Sequence, residues 1–483
     1  MTNPDRENSD EGLSRRKFFG RLGAAGLTAA AVGSALSCNR GAAPADGGAQ
    51  SATGSVAGTP AATPDVISQV RLRGRDGMWN VALQDGKVRQ ISQEPITGGQ
   101  VLDGKGRLLT EGLVEHHIHL DKTLTAERLK WDEEGLKADQ AKFQEDVKAG
   151  RFIRGFTFWR ESLIKATLTE NDVLERAVRL AKIMSAIGTT AIRSHAVVEE
   201  VRGLNCVRGL LRAREAMLPY MDLQISLHPQ DGHLLREPQV VELMRRAMRE
   251  GVDAGATMGV GGLPEIDWDN ATEYIDLVFR LAKEYGGFVD MHVGSGAERL
   301  EGKFSHPIIV AKTRQYGLQG KVTASHSHSL PHQPPDQVLP VLDQMREVGV
   351  HINASPDVYG KERVQIPRSR GVLVSLHNDN VRDPLQRGGN ANLIDRAAIY
   401  RRQMGITSNE GLEGVFDLIT TCPGTALDQA AGRKDYGLRE GGRADLVLWD
   451  AESAPLVLMH EAKPVFVFKS GKVVAEGGHA LWT

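Results

Sequence analysis

Hydrophobic positions along this chain change their period twice. Between Val66 and Val101 they fall in short alternating runs, 66–72, 79–83 and 87–91, punctuated by Asp85-Gly86. Alternation over a few residues, bounded by turn formers, predicts half-buried strands. The pattern returns after Gly441, where 444–449 and 465–468 are expected strands and Ser470-Gly471 is the turn into 472–475. Two β-rich ends around a long middle predict one small β-sandwich built from both.

The middle switches to strand–helix alternation. Thr169 is placed to cap a helix carrying Val173, Ala177, Leu180, Met184 and Ile187 on one face, stopped by Gly188. Further helices are expected over 206–217, 240–248, 271–285, 307–316 and 338–348. Apolar runs at 113–119, 189–193, 223–227, 255–260, 287–293, 321–325, 351–354 and 372–376 read as strands between them. Eight strands alternating with helices predict a (β/α)8 TIM barrel, an α/β fold. Helical stretches within 130–165 are expected to form a lid over the barrel mouth. The chain then divides into sandwich residues 64–110, barrel residues 111–435 and sandwich residues 436–483.

The first 63 residues read as an address. Ser14-Arg15-Arg16-Lys17-Phe18-Phe19 is a twin-arginine pattern followed by a small, apolar run from Leu22 to Leu36. That run is too short and too rich in Ala and Gly to span a membrane, so 1–38 is expected to be an export signal. Ala35-Leu36-Ser37-Cys38 fits a lipoprotein box, with lipid on Cys38, and also an ordinary small-x-small cleavage site. Residues 39–63, rich in Ala, Gly, Ser and Pro, would be a flexible tether. Export by the twin-arginine machinery to the periplasm or cell envelope follows.

Composition narrows the chemistry. With 41% apolar residues, a net charge of −2 and no basic block, nothing points to nucleic acid as a partner. Three cysteines without a paired spacing leave His, Asp and Glu to supply any metal site. In a barrel of this kind chemistry gathers at the C-terminal ends of the strands. His117 and His119 sit there after the first strand, two apart and so on one face, about 6.6 Å from each other. His195 follows the second strand, His228 and Gln230 the third, His292 the fifth, His326 the sixth and Asp379 the eighth. Taken singly, His195, His228, His328 and His377 read as rim or supporting residues.

Together these segments resemble the amidohydrolase superfamily, in its cytosine deaminase-like branch, over roughly 65–480. The motifs are Val114-Glu115-His116-His117-Ile118-His119-Leu120-Asp121-Lys122-Thr123, Arg193-Ser194-His195 and Pro229-Gln230-Asp231-Gly232. They continue in Asp290-Met291-His292, Val322-Thr323-Ala324-Ser325-His326, Asp379-Asn380-Val381-Arg382-Asp383-Pro384, and Gly442-Arg443-Ala444-Asp445. The resemblance implies that His117, His119, His292 and Asp379 bind one divalent ion, Zn2+ or Fe2+. It implies catalytic roles for Asp379 and His326, with substrate contacts from Gln230, His195 and Asn380. The expected activity is hydrolysis of a C–N bond in a cyclic amide, amidine or aminated heterocycle through a metal-bound hydroxide. The fourth strand, 255–260, lacks the lysine that bridges two ions in other members, so one ion is expected. A small-molecule substrate and a homo-oligomer complete the expectation.

Two positions depart from the cytosine deaminase pattern. Its glutamate three residues after the fifth-strand histidine is Ser295 here, with Glu298 the nearest acid in that loop. Its second aspartate after the metal aspartate is Asn380. Both features look more like N-isopropylammelide isopropylaminohydrolase and predict poor turnover of cytosine. An amidohydrolase of a non-heterocyclic amide, or an exported binding lipoprotein on an inactive scaffold, are the competing readings.

Overall fold

In a computed structural model of the chain, the structure describes residues 63–150, 155–230, 234–266, 268–295 and 302–482. The export signal, most of the tether and Cys38, and likewise Asp231, Gly232 and Glu298, lie outside the described residues. The strands are β1 Val66–Leu72, β2 Arg75–Gln84, β3 Lys87–Ser92, β4 Val101–Asp103 and β5 Leu108–Glu111. There follow β6 Leu113–Ile118, β7 Thr189–Val197, β8 Asp222–His228, β9 Met258–Val260 and β10 Phe288–His292. Then come β11 Val322–Ser325, β12 Val350–Ala354, β13 Val374–Leu376, β14 Leu446–Trp449, β15 Pro464–Lys469, β16 Lys472–Glu476 and β17 His479–Ala480.

Both ends of the described chain build one sheet, ordered β17-β16-β15-β14-β5-β1-β2-β3, with β4 alongside β1. Most pairs are antiparallel, and β1 runs parallel to β4 and β5. The sheet curls on itself. Gly86, in the β2–β3 turn, is packed so closely by Ser470 of the β15–β16 turn that an added Cβ would stand 3.2 Å from Ser470 Cβ. Ile67, Val70, Val81, Leu109, Leu446 and Phe468 fill the inside. The expected sandwich is thus a single continuous sheet wrapped around its own core.

Strands β6 to β13 form the second sheet, all parallel, in chain order. Every residue of β7 is buried, as a strand covered by helices outside and barrel filling inside must be. Thr169 caps the helix Glu170–Ala186, its side chain accepting from Asp172 N, and Gly188 takes φ 103 to end it. Expected helices appear at Asn205–Met217, Pro238–Asp253, Ala271–Glu284, His306–Tyr316 and Pro335–Val348. Between β6 and β7 the chain inserts helices Glu133–Lys148 and Phe156–Lys165.

The barrel closes at one residue. Asp379 N donates to His117 O at 3.0 Å, and His119 N donates to Asp379 O at 3.0 Å, joining the chain after β13 to β6. Asp379 holds φ 63, a left-handed conformation costly for a residue with a Cβ. The seam of the barrel therefore carries a strained residue.

Candidate active site

Four side chains meet at the mouth: His117 from β6, His119 just after it, His292 from the end of β10, and Asp379 after β13. His119 Nε2 stands 3.3 Å from His292 Nε2 and 3.4 Å from Asp379 Oδ1. His117 Nε2 is 3.6 Å from the same oxygen. Ligands about 2.0–2.1 Å from a tetrahedral zinc stand about 3.3 Å from one another, so this spacing fits a divalent ion. His117 Nε2 and Asp379 Oδ1 are buried and have no hydrogen-bond partner among the described residues. The two orphaned atoms face the same point, which is the arrangement a cation satisfies.

The layer below fixes the tautomer of His117. Arg193 donates to Asp290 Oδ2 at 3.1 Å, and Ser325 Oγ donates to Asp290 Oδ1. Asn353 Nδ2 donates to Ser325 Oγ at 2.9 Å, and His117 Nδ1 lies 3.1 Å from that oxygen. The single hydroxyl proton is committed to Asp290, so Ser325 accepts from His117 Nδ1–H. The lone pair of His117 is then on Nε2, toward the other ligand atoms.

Electrostatics agree with a cation site. Burial holds His119, His292 and His326 well below the usual histidine range, so these rings are neutral. Burial would raise Asp379, but its contact with the His117 side chain outweighs that and holds the carboxyl well below its ordinary value. Neutral imidazoles and a carboxylate are the donor forms a divalent ion requires.

The remaining expected residues take distinct places. The His326 ring lies 4.6 Å from that of His117 and 5.0 Å from that of His292, and φ 63 turns it inward. His195 does not end its strand, since β7 continues to Val197. Its Nε2 sits 2.9 Å from His117 Nδ1, beneath the ligand cluster. Asn380 is 7% exposed and its Oδ1 has no partner among the described residues. Gln230 donates through Nε2 to Glu161 Oε2 at 2.8 Å. Ser295 is half-buried and brings no carboxylate to the fifth-strand loop.

Sequence reasoning assigned no role to several groups that the fold brings here. Lys122, fully buried three residues beyond His119, is ion-paired with Glu161 of the inserted helix. Asp383 is buried, its carboxyl pushed up to about 7 by burial against the opposing pull of Lys122. Glu265, on the loop after β9, is pushed to about 7 by burial although Ser305 and the Gly294 N–H donate to it. Lys122 and Asp383 lay inside quoted motifs. Nothing in the sequence distinguished Glu161 or Glu265 from surface acids.

Known proteins share this architecture. Residues 234–475 match the amidohydrolase family model. N-isopropylammelide isopropyl amidohydrolase of Pseudomonas sp. (strain ADP) is 25% identical over 421 residues, covering 85% of this chain and 97% of that protein. The crystal structure of N-isopropylammelide isopropylaminohydrolase from Burkholderia multivorans superimposes with a TM-score of 0.71 at 26% identity, covering 87% of this chain and 100% of that one. A 5-methylcytosine deaminase from Klebsiella pneumoniae shares the fold, with a TM-score of 0.71 at 24% identity over 85% of this chain and 98% of that one. With the matching barrel and its mouth of histidines, these likenesses place the chain in the amidohydrolase family, a hydrolase of carbon–nitrogen bonds.

Proposed function

We propose that the protein hydrolyses an exocyclic C–N bond on a nitrogen heterocycle, releasing an amine, with His117, His119, His292 and Asp379 holding one divalent ion. The observation that carries this reading is the trio of distances from 3.3 to 3.6 Å that links the ligand atoms of His292, His119, Asp379 and His117 at the barrel mouth. When bound, the ion supplies Lewis acidity that makes water nucleophilic near neutral pH. Asp379 accepts the proton of the attacking water at its carboxylate and returns it to the leaving nitrogen. His326 holds the developing oxygen, and Gln230, with Asn380 and His195, orients the ring.

The two departures set the substrate preference. Expelling ammonia from a pyrimidine calls on a second acid worth about 10²–10⁴-fold. Neither Ser295 nor Asn380 can carry that proton. An alkylamino-substituted triazine, the ring type suggested by the aligned isopropylammelide enzymes, suits a site in which positions 295 and 380 supply no acid. The test is kcat/KM for amine release from an N-alkylamino triazine and from cytosine. A clear preference for the triazine is expected; efficient cytosine turnover that depends on Glu298 would overturn the substrate reading. For the N-terminal region we propose twin-arginine export with attachment through Cys38.

A further inference from the structure

His326 reaches the site through an unfavourable turn. It follows β11, and both it and Ser327 hold left-handed backbone, φ 63 and φ 49, a conformation costly for residues with a Cβ. Such a turn persists only where its surroundings hold it. On the amide side, His326 N donates to Asn353 O of β12 at 2.8 Å, and Ser327 Oγ donates to Ala324 O at 2.9 Å. The carbonyl side is held by a side chain from another segment. Arg363 Nη1 donates to His326 O at 3.0 Å. The same nitrogen donates to His328 Nδ1 at 3.0 Å, which places the proton of that neutral ring on Nε2. The His328 ring in turn lies parallel to that of His326, 5.2 Å away and within 3°. One nitrogen thus grips His326 at its backbone and grips the ring stacked beside it.

Arg363 itself is held at a cost. It is fully buried, and its Nε has no hydrogen-bond partner among the described residues. Its charge is paired with Asp357, whose side chain is 35% exposed. Burying a guanidinium against one partly solvated carboxylate brings little net stability. The segment that carries it, Lys361–Gln365 after β12, is a single π-helical turn, a form that recurs at functional sites. We infer that Arg363 is the positioning residue for His326: it holds the left-handed turn after β11 and the stacked His328 ring, and so keeps the His326 imidazole against the ligand histidines. The inference rests on the proposed role of His326 and names the group through which that role is set.

The test uses the metal-loaded full chain and amine release from an N-alkylamino triazine. Arg363→Met should lower kcat by about 10²-fold, the loss that roughly 1 Å of misplacement brings, with KM within about threefold of the parent and metal content unchanged. Arg363→Lys keeps a cation opposite Asp357, loses the fork, and should lower kcat by about tenfold; it keeps the comparison available if the Met variant does not fold. The same Arg363→Met change is then made in His326→Ala. A group that acts through His326 has little left to lose there, so the further loss should be less than about twofold. Equal proportional losses in the two backgrounds would overturn the inference, as would the parent's kcat in either Arg363 variant or loss of the metal. Crystal structures of the parent and the Arg363 variants read the same point without substrate. The His326 ring should shift by about 1 Å or more, and an unmoved ring would overturn the inference. The parent's kcat in His326→Ala would instead overturn the role of His326 itself, so the two failures are told apart.

Discussion

Asp379 is tied to His117 twice, by its main-chain N–H to the His117 carbonyl at 3.0 Å and by a carboxylate oxygen 3.6 Å from His117 Nε2. The hydrogen bond that closes the barrel thus also sets the distance between two proposed ligands. Replacing Asp379 with Asn keeps the seam and removes the charge, whereas His119→Ala removes one imidazole. Both variants should purify folded and with less than a tenth of the parent's bound metal, read by elemental analysis. Full metal occupancy in either would remove that residue from the ligand set.

Ser325 connects the ligand layer to the charged floor of the barrel. Ser325→Ala removes the hydroxyl beside His117 Nδ1 that also donates to Asp290 Oδ1, leaving Asp290 with Arg193 alone. Loss of such a supporting partner commonly costs about 10–100-fold in metal affinity. Competition with a chelator should show that weakening with the fold intact. Unchanged affinity would mean that His195, 2.9 Å from the same nitrogen, suffices to orient the ring.

Glu265 gives a pH signature. Its carboxyl is raised to about 7 in the folded protein by burial, well above an exposed glutamate. The native state therefore holds a proton that the unfolded chain releases, and stability from this group declines as pH rises from the unfolded value through about 7. Glu265→Gln should match the parent near pH 4.5 and exceed it by up to about 3 kcal/mol at pH 8, the size of the shift expressed as free energy. Denaturant midpoints of both proteins across that range check it. A constant difference would mean that Glu265 binds its proton equally well in the folded and unfolded chain.

The export proposal is tested apart from the fold. Residues 1–63 fused to a folded reporter should carry it out of the cytoplasm, and changing Arg15 and Arg16 to Lys should stop that. Export at the parent's level in the double-lysine fusion would refute the address, and Cys38→Ala should release an otherwise membrane-bound protein.

The sequence disclosed what periodicity and strand position control. His117, His119, His292, His326 and Asp379 each follow an apolar run, and a parallel barrel sends the ends of such runs to one mouth. His195 was placed too late because β7 runs on to Val197, an extension that apolar patterning blurs at the buried Ser194-His195-Ala196-Val197. What stayed hidden depends on contacts between distant segments. Glu161 lies on a helix whose polar residues look solvated, and only the fold brings it to Lys122, 39 positions earlier. Asp379 as the closing residue was equally unreadable, since a backbone seam leaves no mark on side-chain pattern.

The central claim is that this mouth performs C–N hydrolysis through an ion held by His117, His119, His292 and Asp379. Its most direct test is amine release from an N-alkylamino triazine, followed while metal-stripped protein is titrated with Zn2+ or Fe2+. Activity should be absent at the start, rise linearly and level off at one equivalent per chain. Undiminished amine release from the stripped protein, or one tightly bound equivalent without any release from the heterocycles tried, would contradict the account.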